Sequence, residues 1–413
     1  MGEIIYNISL FFYKALIRVA SLFNTKAKLF VTGRKNIFKR IAEATQNNDR
    51  PVAWFHCASL GEFEQGRPLM EAFKEVYPDY AIFLTFYSPS GYEIRKNYPG
   101  ADYIFYLPYD SKKNACQFID LVDPKIAFFI KYEFWHYFAH ELSKRNIPLI
   151  SASSIFRPGQ LFFKKHGTFY RKILKHFDHF FVQDSTSKKL LHTININNAT
   201  ISGDTRFDRV RSIRKGVKPL PEVERFTKGH QTMVIGSCWP EDLDVLNSFI
   251  NDTDLKYIIA PHEIDVKFIE RIEKDLIKQV IRYSDVDAST DLSKYDVLVI
   301  DNIGMLSSLY AYGHYAYVGG GFGQGLHNIL EPATFGLPVF FGNKNYTKFR
   351  EARDLINLGG AIALASYDEL RAQFIAFSEE NTYVIAKQIN TGYIKDNVGA
   401  TQKIIDYCKN ILT

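Results

Sequence analysis

Three short runs hold residues suited to proton transfer or to offsetting charge. In HCASLGEFEQGRPL (56–69), Glu62 follows an apolar run and a Ser59-Leu60-Gly61 turn. A carboxylate at the carboxyl end of a strand can act as a general base. A Glu in a helix's first turn is also simply favoured by the dipole, so the spacing leaves both roles open. In IKYEFWHYF (130–138), Lys131 and Glu133 stand among aromatics just past a second apolar run. Burial there would raise a carboxyl pKa, and a structural Lys–Glu pair is the equal alternative. In ISGDTRFDRV (201–210), Arg206 could offset charge on a leaving phosphate or an acidic substrate. Its plain alternative is a surface pair with Asp208.

A fourth run, VGGGFGQGLHNILEPATFGLPVFFG (318–342), suits phosphate. A strand ends in Gly319, Gly320, Gly321, Gly323 and Gly325, and a helix is expected to start near Asn328. Glycines admit a ligand close to the backbone, and a helix start offers free N–H groups. Glu331 could accept from ribose hydroxyls. The run matches neither GxGxxG followed by a distal acid nor GxxxxGK[ST], which disfavours NAD and P-loop chemistry. His262, in APHE (260–263), ends another strand and could meet the same nucleotide. Three DxD tripeptides begin at Asp242, Asp252 and Asp285. None is embedded at a strand end, and no metal is assigned.

These runs need a scaffold that gathers strand ends. In the first half, 52–56, 81–86, 126–130, 148–153 and 179–183 are continuous apolar runs, as expected of parallel strands covered on both faces. Segments such as 62–77 and 134–145 fill the crossovers as helices. The second half repeats the pattern at 232–237, 256–261, 279–284, 296–301, 315–320 and 337–341. The expectation is α/β, with two Rossmann-like domains facing a cleft and ligands at the carboxyl ends of the strands. Expected boundaries are a membrane-associated helix and basic segment (1–50), a first Rossmann-like domain (51–215), a linker (216–229), a second Rossmann-like domain with the nucleotide site (230–400) and a terminal helix (401–413). With 413 residues, two domains are natural. The charge of +6 fits an anionic partner but is too small to indicate nucleic acid. Four cysteines without CxxC spacing argue against a zinc ribbon or a disulfide framework.

The N-terminus reads IIYNISLFFYKALIRVASLF over 4–23. At 100° per residue, Asn7, Lys14, Arg18, Ser21 and Thr25 form a narrow polar stripe, and nearly all the rest is apolar. Such a helix suits the plane of a membrane interface better than a span, because Lys14 and Arg18 sit mid-helix. Lys26, Lys28, Arg34, Lys35, Lys39 and Arg40 follow and would be drawn to anionic headgroups. The bland alternative is a soluble helix docked on its own domain.

In order, these stations resemble the Kdo (3-deoxy-D-manno-octulosonic acid) transferases. The resemblance rests on Ser59-Leu60-Gly61-Glu62, Lys131-Tyr132-Glu133-Phe134-Trp135, Gly203 through Asp208, and Gly319-Gly320 through His327-Asn328 and Glu331-Pro332. It runs from the N-terminal helix to near residue 360. It implies a GT-B fold, CMP-Kdo as donor and the lipid A precursor (lipid IVA) as acceptor, with the first domain taking the acceptor and the second the nucleotide-sugar. It also implies lipopolysaccharide core biosynthesis at the cytoplasmic face of the inner membrane. By the same resemblance Glu62 is the general base, with Glu133 and Arg206 supporting. The CMP contacts are Pro261, His262, Gly304, Met305, Leu306, Asn328, Ile329, Leu330 and Glu331, and no metal or other cofactor is implied. The chain departs from the family at Pro261-His262, at Ser237-Cys238-Trp239-Pro240-Glu241 and at Ser151-Ala152-Ser153-Ser154, where Pro-Arg-His, Ser-Thr-His-x-Gly-Glu and Asn-Ala-Arg-Leu are usual. Two rivals remain: another GT-B enzyme, such as a UDP-sugar transferase or epimerase, and a non-catalytic protein that binds anionic lipid.

Overall fold

A computed structural model describes residues 2–412. The chain forms two compact units, Met1–Arg209 with Val398–Thr413, and Val210–Asn397. The first holds β1 (Val52–Cys57), β2 (Ala81–Phe86), β3 (Tyr103–Tyr106), β4 (Pro124–Ile130), β5 (Leu149–Ser154), β6 (His179–Val182) and β7 (Ala199–Ile201). Their order is β3-β2-β1-β4-β5-β6-β7, and every neighbouring pair is parallel. All six residues of β1 are buried. Trp54 packs on one face with Phe83, Phe118 and Phe129, and Phe55 on the other with Phe63, Phe73 and Phe128. The period-2 alternation of a strand thus serves two apolar layers at once, which is why its sequence shows no polar face.

The second unit holds β8 (Thr232–Cys238), β9 (Lys256–Pro261), β10 (Val280–Arg282), β11 (Val297–Val299), β12 (Tyr315–Val318), β13 (Val339–Gly342) and β14 (Ala361–Leu364). Their order is β10-β11-β9-β8-β12-β13-β14, again all parallel. In both sheets the strand order reverses beside the first strand, between β1 and β4 and between β8 and β12. That is the switch point where open α/β sheets bind ligands.

Several expectations change. Within 216–229, a helix Pro221–Thr227 buries Val223 and Phe226 in the second unit's core. The helix expected near Asn328 starts at Leu330 and spans only Leu330–Thr334, ended by Gly336 at positive φ. The C-terminal helix Ala400–Ile411 packs Ile404, Ile405 and Cys408 into the first unit's core.

Among the described residues no helix is long and apolar enough to cross a membrane. The helix Gly2–Ala20 has no buried residue. Its polar positions face its own unit. Tyr6 donates to Asp110 (2.6 Å), and the Tyr137 hydroxyl accepts from Asn7 (2.7 Å) and donates to Glu3 (3.1 Å). Lys14 lies 4.9 Å over the Tyr109 ring. Ile4, Ile5, Ile8, Phe11, Phe12, Leu16, Val19, Leu22 and Phe23 are exposed. The basic segment is also thinner than its sequence suggests. Arg34 is buried, donates to the carbonyls of Phe30, Tyr87 and Leu107, and packs on Phe30 and Tyr106. Burial lowers its pKa to about 10. It is a structural cation, whereas Lys26, Lys28, Lys35 and Lys39 are exposed.

Candidate active site

In the first unit, Ser59 caps the helix Leu60–Val76, and Glu62 lies in its first turn. Gly66 lets that helix sit close on the sheet: a Cβ there would fall 2.9 Å from Ile130 and 3.2 Å from the Cys57 sulfur. Glu62 is nearly buried, and its Oε2 accepts from the Ala58 N–H at 2.6 Å. Its pKa is raised to about 8, first by burial and then by the charge of Glu133; the N–H groups of Ala58 and Ser59 and the Lys131 ammonium pull the other way. This carboxylate binds a proton far more avidly than an exposed one. A shift of that kind sets Glu62 apart from an ordinary solvated first-turn Glu.

Glu133 follows β4, past Lys131, whose φ is +68°. Its Oε2 accepts from Trp135 Nε1 at 2.7 Å and sits 3.0 Å from His56 Nε2. Trp135 stacks on Tyr87 at 4.6 Å between centroids, and Phe134 anchors the segment against Phe156, Phe162 and Phe177. Arg206 follows β7 after a turn at Gly203, whose φ is +97°. Its backbone N and Nε donate to Asp204 at 2.9 Å each, and Nη2 lies 2.8 Å from the same carboxylate. Burial alone would raise the Asp204 carboxyl, but Arg206, with help from Gln65, holds it below the usual range. Gln65 reaches Asp204 (3.2 Å) from the helix that bears Glu62. Asp208 accepts from the N–H groups of Gly399 (2.6 Å) and Thr401 (2.7 Å), fastening the C-terminal helix. Tyr132 marks where the stations meet. Burial raises its pKa, and Arg157, Glu62, Arg206 and Asp204 all act on it. Glu62, Glu133 and Arg206 thus share the carboxyl edge of one sheet.

In the second unit the glycine loop is pinned by Asp242. That buried carboxylate accepts from Trp239 N (3.0 Å), Gly320 N (2.9 Å) and the Tyr317 hydroxyl (2.9 Å). A Cβ on Gly319 would fall 2.1 Å from the Ser237 carbonyl. Pro261 ends β9, and the His262 N–H donates to Cys238 O at 3.0 Å. The rings of Trp239 and His262 stack at 4.4 Å, His262 and His327 lie 4.3 Å apart, and Trp239 Nε1 donates to His327 Nε2 at 3.0 Å. Burial lowers both histidines, His327 to about 4 with His262 contributing, so both rings are neutral at physiological pH. Asn328 accepts from Leu330 N (3.2 Å) and donates to Glu331 (3.1 Å), which also fixes Ile329 between them. Gly304, at φ +97°, and Met305 lead into the short helix that begins at Leu306. Pro261–His262, Gly304–Leu306 and Asn328–Glu331 follow β9, β11 and β12, at one edge of the sheet.

The DxD acids serve structure: Asp242 holds the loop, Asp244 pairs with Arg271, Asp252 accepts from Tyr367 and Asp287 closes a turn with Ser289. Among the described residues no group of three or more His, Cys, Asp or Glu is placed to hold a metal ion. Two residues escaped the sequence reading: His56 lay inside an apolar run, and Gln65 had no motif. Asp242 was weighed only as part of a DxD tripeptide, not as the anchor of the glycine loop. The one available signal was a histidine in a run of otherwise apolar residues.

A family profile described as 3-deoxy-D-manno-octulosonic-acid transferase (kdotransferase) matches residues 35–209. The chain is 26% identical over 331 residues to a 3-deoxy-D-manno-octulosonic acid transferase of Chlamydophila psittaci, covering 76% of this chain and 74% of that one. It is 25% identical to those of Rickettsia bellii, over 89% of each chain, and of Haemophilus influenzae, over 87% of each. Among solved structures it resembles UDP-GlcNAc 2-epimerase from Neisseria meningitidis (TM-score 0.61, 13% identity, 87% of this chain, 100% of that one). It also resembles MurG of Acinetobacter baumannii (TM-score 0.55, 10% identity, 87% and 99%). At such identities these two speak for the GT-B fold alone. The sequence relatives speak for more: by the matching profile and by relatives over most of its length, the chain is similar to the 3-deoxy-D-manno-octulosonic acid transferases, a group of glycosyltransferases.

Proposed function

We propose that this enzyme moves Kdo from CMP-Kdo to the lipid A precursor, lipid IVA, in lipopolysaccharide core biosynthesis. The observation that carries the mechanism is Glu62, a carboxyl at the switch point of the first sheet with its pKa raised to about 8. Glu62 takes the proton of an acceptor hydroxyl as that oxygen attacks the anomeric carbon of Kdo. The new C–O bond forms as the bond to the CMP phosphate oxygen breaks, with inversion, through an oxocarbenium-like transition state. Arg206, fixed on Asp204, offers positive charge to the acidic sugar or its leaving group. Pro261, His262, Gly304 through Leu306 and Asn328 through Glu331 hold the CMP moiety. No metal or other cofactor is assigned a role.

The outward apolar face of Gly2–Ala20 supports attachment to the inner membrane from its cytoplasmic side, lying in the interface, with Lys26, Lys28, Lys35 and Lys39 toward anionic headgroups. The test is incubation of the protein in detergent with CMP-Kdo and the tetra-acylated acceptor, in the presence of chelator, followed by the acceptor's mass. Wild type should add Kdo, and Glu62→Gln should add almost none while CMP still protects it from unfolding. Equal loss of CMP protection would make Glu62 structural. Protection by UDP instead of CMP would point to another nucleotide-sugar enzyme.

A further inference from the structure

His56 lies on β1, fully buried, with a partner on each ring nitrogen. Its Nδ1 is 2.9 Å from Thr85 Oγ1 and 3.2 Å from the Thr85 carbonyl, across the β1–β2 pair; its Nε2 is 3.0 Å from Glu133 Oε2. Thr85 Oγ1 accepts from Trp54 Nε1 at 2.9 Å. That leaves the Thr85 hydroxyl proton to donate, and His56 Nδ1 is nearer than its other acceptor, Phe55 O at 3.4 Å. Nδ1 therefore accepts, and Nε2 carries the proton and donates to Glu133. Trp135 Nε1 lies 3.2 Å from His56 Nε2 but donates to the same Glu133 oxygen at 2.7 Å, the shorter and charge-assisted bond, so it does not need the Nε2 lone pair. The opposite tautomer would set a nitrogen lone pair against that oxygen.

We propose that His56 is a positioning residue: together with Trp135 it fixes the Glu133 carboxylate where the paired strands β1 and β4 end, at the edge that carries Glu62, and through that carboxylate it acts on the base. This rests on the assignment of Glu62 as the base. The titratable groups facing Glu62 are Glu133, Lys131 and Tyr132 from the segment after β4, and Cys57 from the end of β1. Arg206, Asp204 and Arg157 reach the same site through Tyr132. Of the charged neighbours, Glu133 raises the Glu62 carboxyl and Lys131 lowers it. Burial of two carboxylates side by side is costly unless donors hold one of them charged. One oxygen of Glu133 faces two N–H donors, the buried His56 and the half-buried Trp135.

The test titrates Glu62 directly. Full-length protein in detergent micelles, labelled with ¹³C at glutamate carboxyls, is followed by NMR, and Glu62→Gln assigns the signal. Glu133→Gln and His56→Leu should each lower the Glu62 midpoint by about one pH unit. His56→Gln, whose amide can still donate to Glu133, should leave it near the wild-type value. The ascending, acid limb of the transfer rate should move with the midpoint. Thr85→Val keeps shape but removes the hydroxyl, which favours the Nδ1–H tautomer through the carbonyl at 3.2 Å, and it should also lower the midpoint. This variant decides the matter if His56→Leu does not fold. An unchanged Glu62 midpoint in folded His56→Leu or Thr85→Val overturns the proposal, even if activity falls. Shifted midpoints in a protein that transfers nothing overturn the reaction assigned above and leave the His56–Glu133 linkage standing, because the titration needs no substrate.

Discussion

Replacing Phe11, Phe12 and Leu16 together by serine should release the protein from membranes without touching its chemistry. These side chains are 68%, 59% and 68% exposed, and all lie on the face of Gly2–Ala20 turned away from the unit it docks on. Full burial of such a side chain is worth ~1.5–3 kcal/mol. With about two thirds of each available to the lipid, the three contribute roughly 3–6 kcal/mol to partitioning. At ~1.4 kcal/mol per tenfold, binding should weaken at least about 100-fold. The docking contacts of Tyr6, Asn7 and Lys14 are on the other side and stay intact. The assay is flotation with vesicles of neutral and of anionic lipid, beside transfer to a detergent-dispersed acceptor. Wild type should float, the variant should remain in the soluble fraction, and transfer in detergent should match. Equal flotation of both proteins would refute the idea that this face is the attachment surface.

Three further outcomes follow from the sites. A base with a pKa near 8 is mostly protonated at neutral pH, so the transfer rate should climb with pH to a plateau above about 8. The same shift acts on stability with a definite sign: the folded state holds the Glu62 proton more tightly than the unfolded chain, so stability falls as pH rises from about 4.5 to about 8. Glu62→Gln should remove that fall, worth roughly 5 kcal/mol, and melt higher than wild type at about pH 9 but not at about pH 4.5. Gly319→Ala should destabilise the second unit by ~1–3 kcal/mol and abolish CMP protection, because its Cβ meets the Ser237 carbonyl at 2.1 Å. Gly159→Ala, which meets nothing within 4 Å, is the control and should be silent in both readouts.

The parallel strands were legible wherever both faces are buried. VAWFH and AIFLTF announce β1 and β2 because an unbroken apolar run of that length suits a strand covered on both sides. β3 and β14 escaped because they are four-residue edge strands with only one neighbour and partly exposed side chains. Glu62, Glu133 and Arg206 were found because each sits just past a strand, where chain direction alone fixes the edge. Their electrostatics were not legible. The raised pKa of Glu62 comes first from burial and then from Glu133, 71 positions away, and Glu133 is held by His56, whose place inside an apolar strand disguised it. The start of the short helix at Leu330 was misplaced because Asn328 looks like a cap, whereas its side chain accepts from Leu330 N across one intervening residue. Arg34 was counted as surface charge because a basic run conceals the one member that aromatic rings enclose.

The route of the chain through its two units has a consequence for biogenesis. The helix bearing Glu62 is packed against Ala400–Ile411, and Ile404, Ile405 and Cys408 fill the same apolar layer as Phe63, Met70 and Phe73. On the ribosome, that closing helix is made only after the whole of the second unit. The first unit therefore waits, with an open apolar seam beneath its base, while translation of nearly two hundred further residues goes on. A chain terminated anywhere in that interval would carry Glu62 and Arg206 yet lack the helix that steadies them, and Asp208 would have no N–H groups of Gly399 and Thr401 to hold. Synthesis of that helix is thus built into the assembly of the edge that carries Glu62 and Arg206.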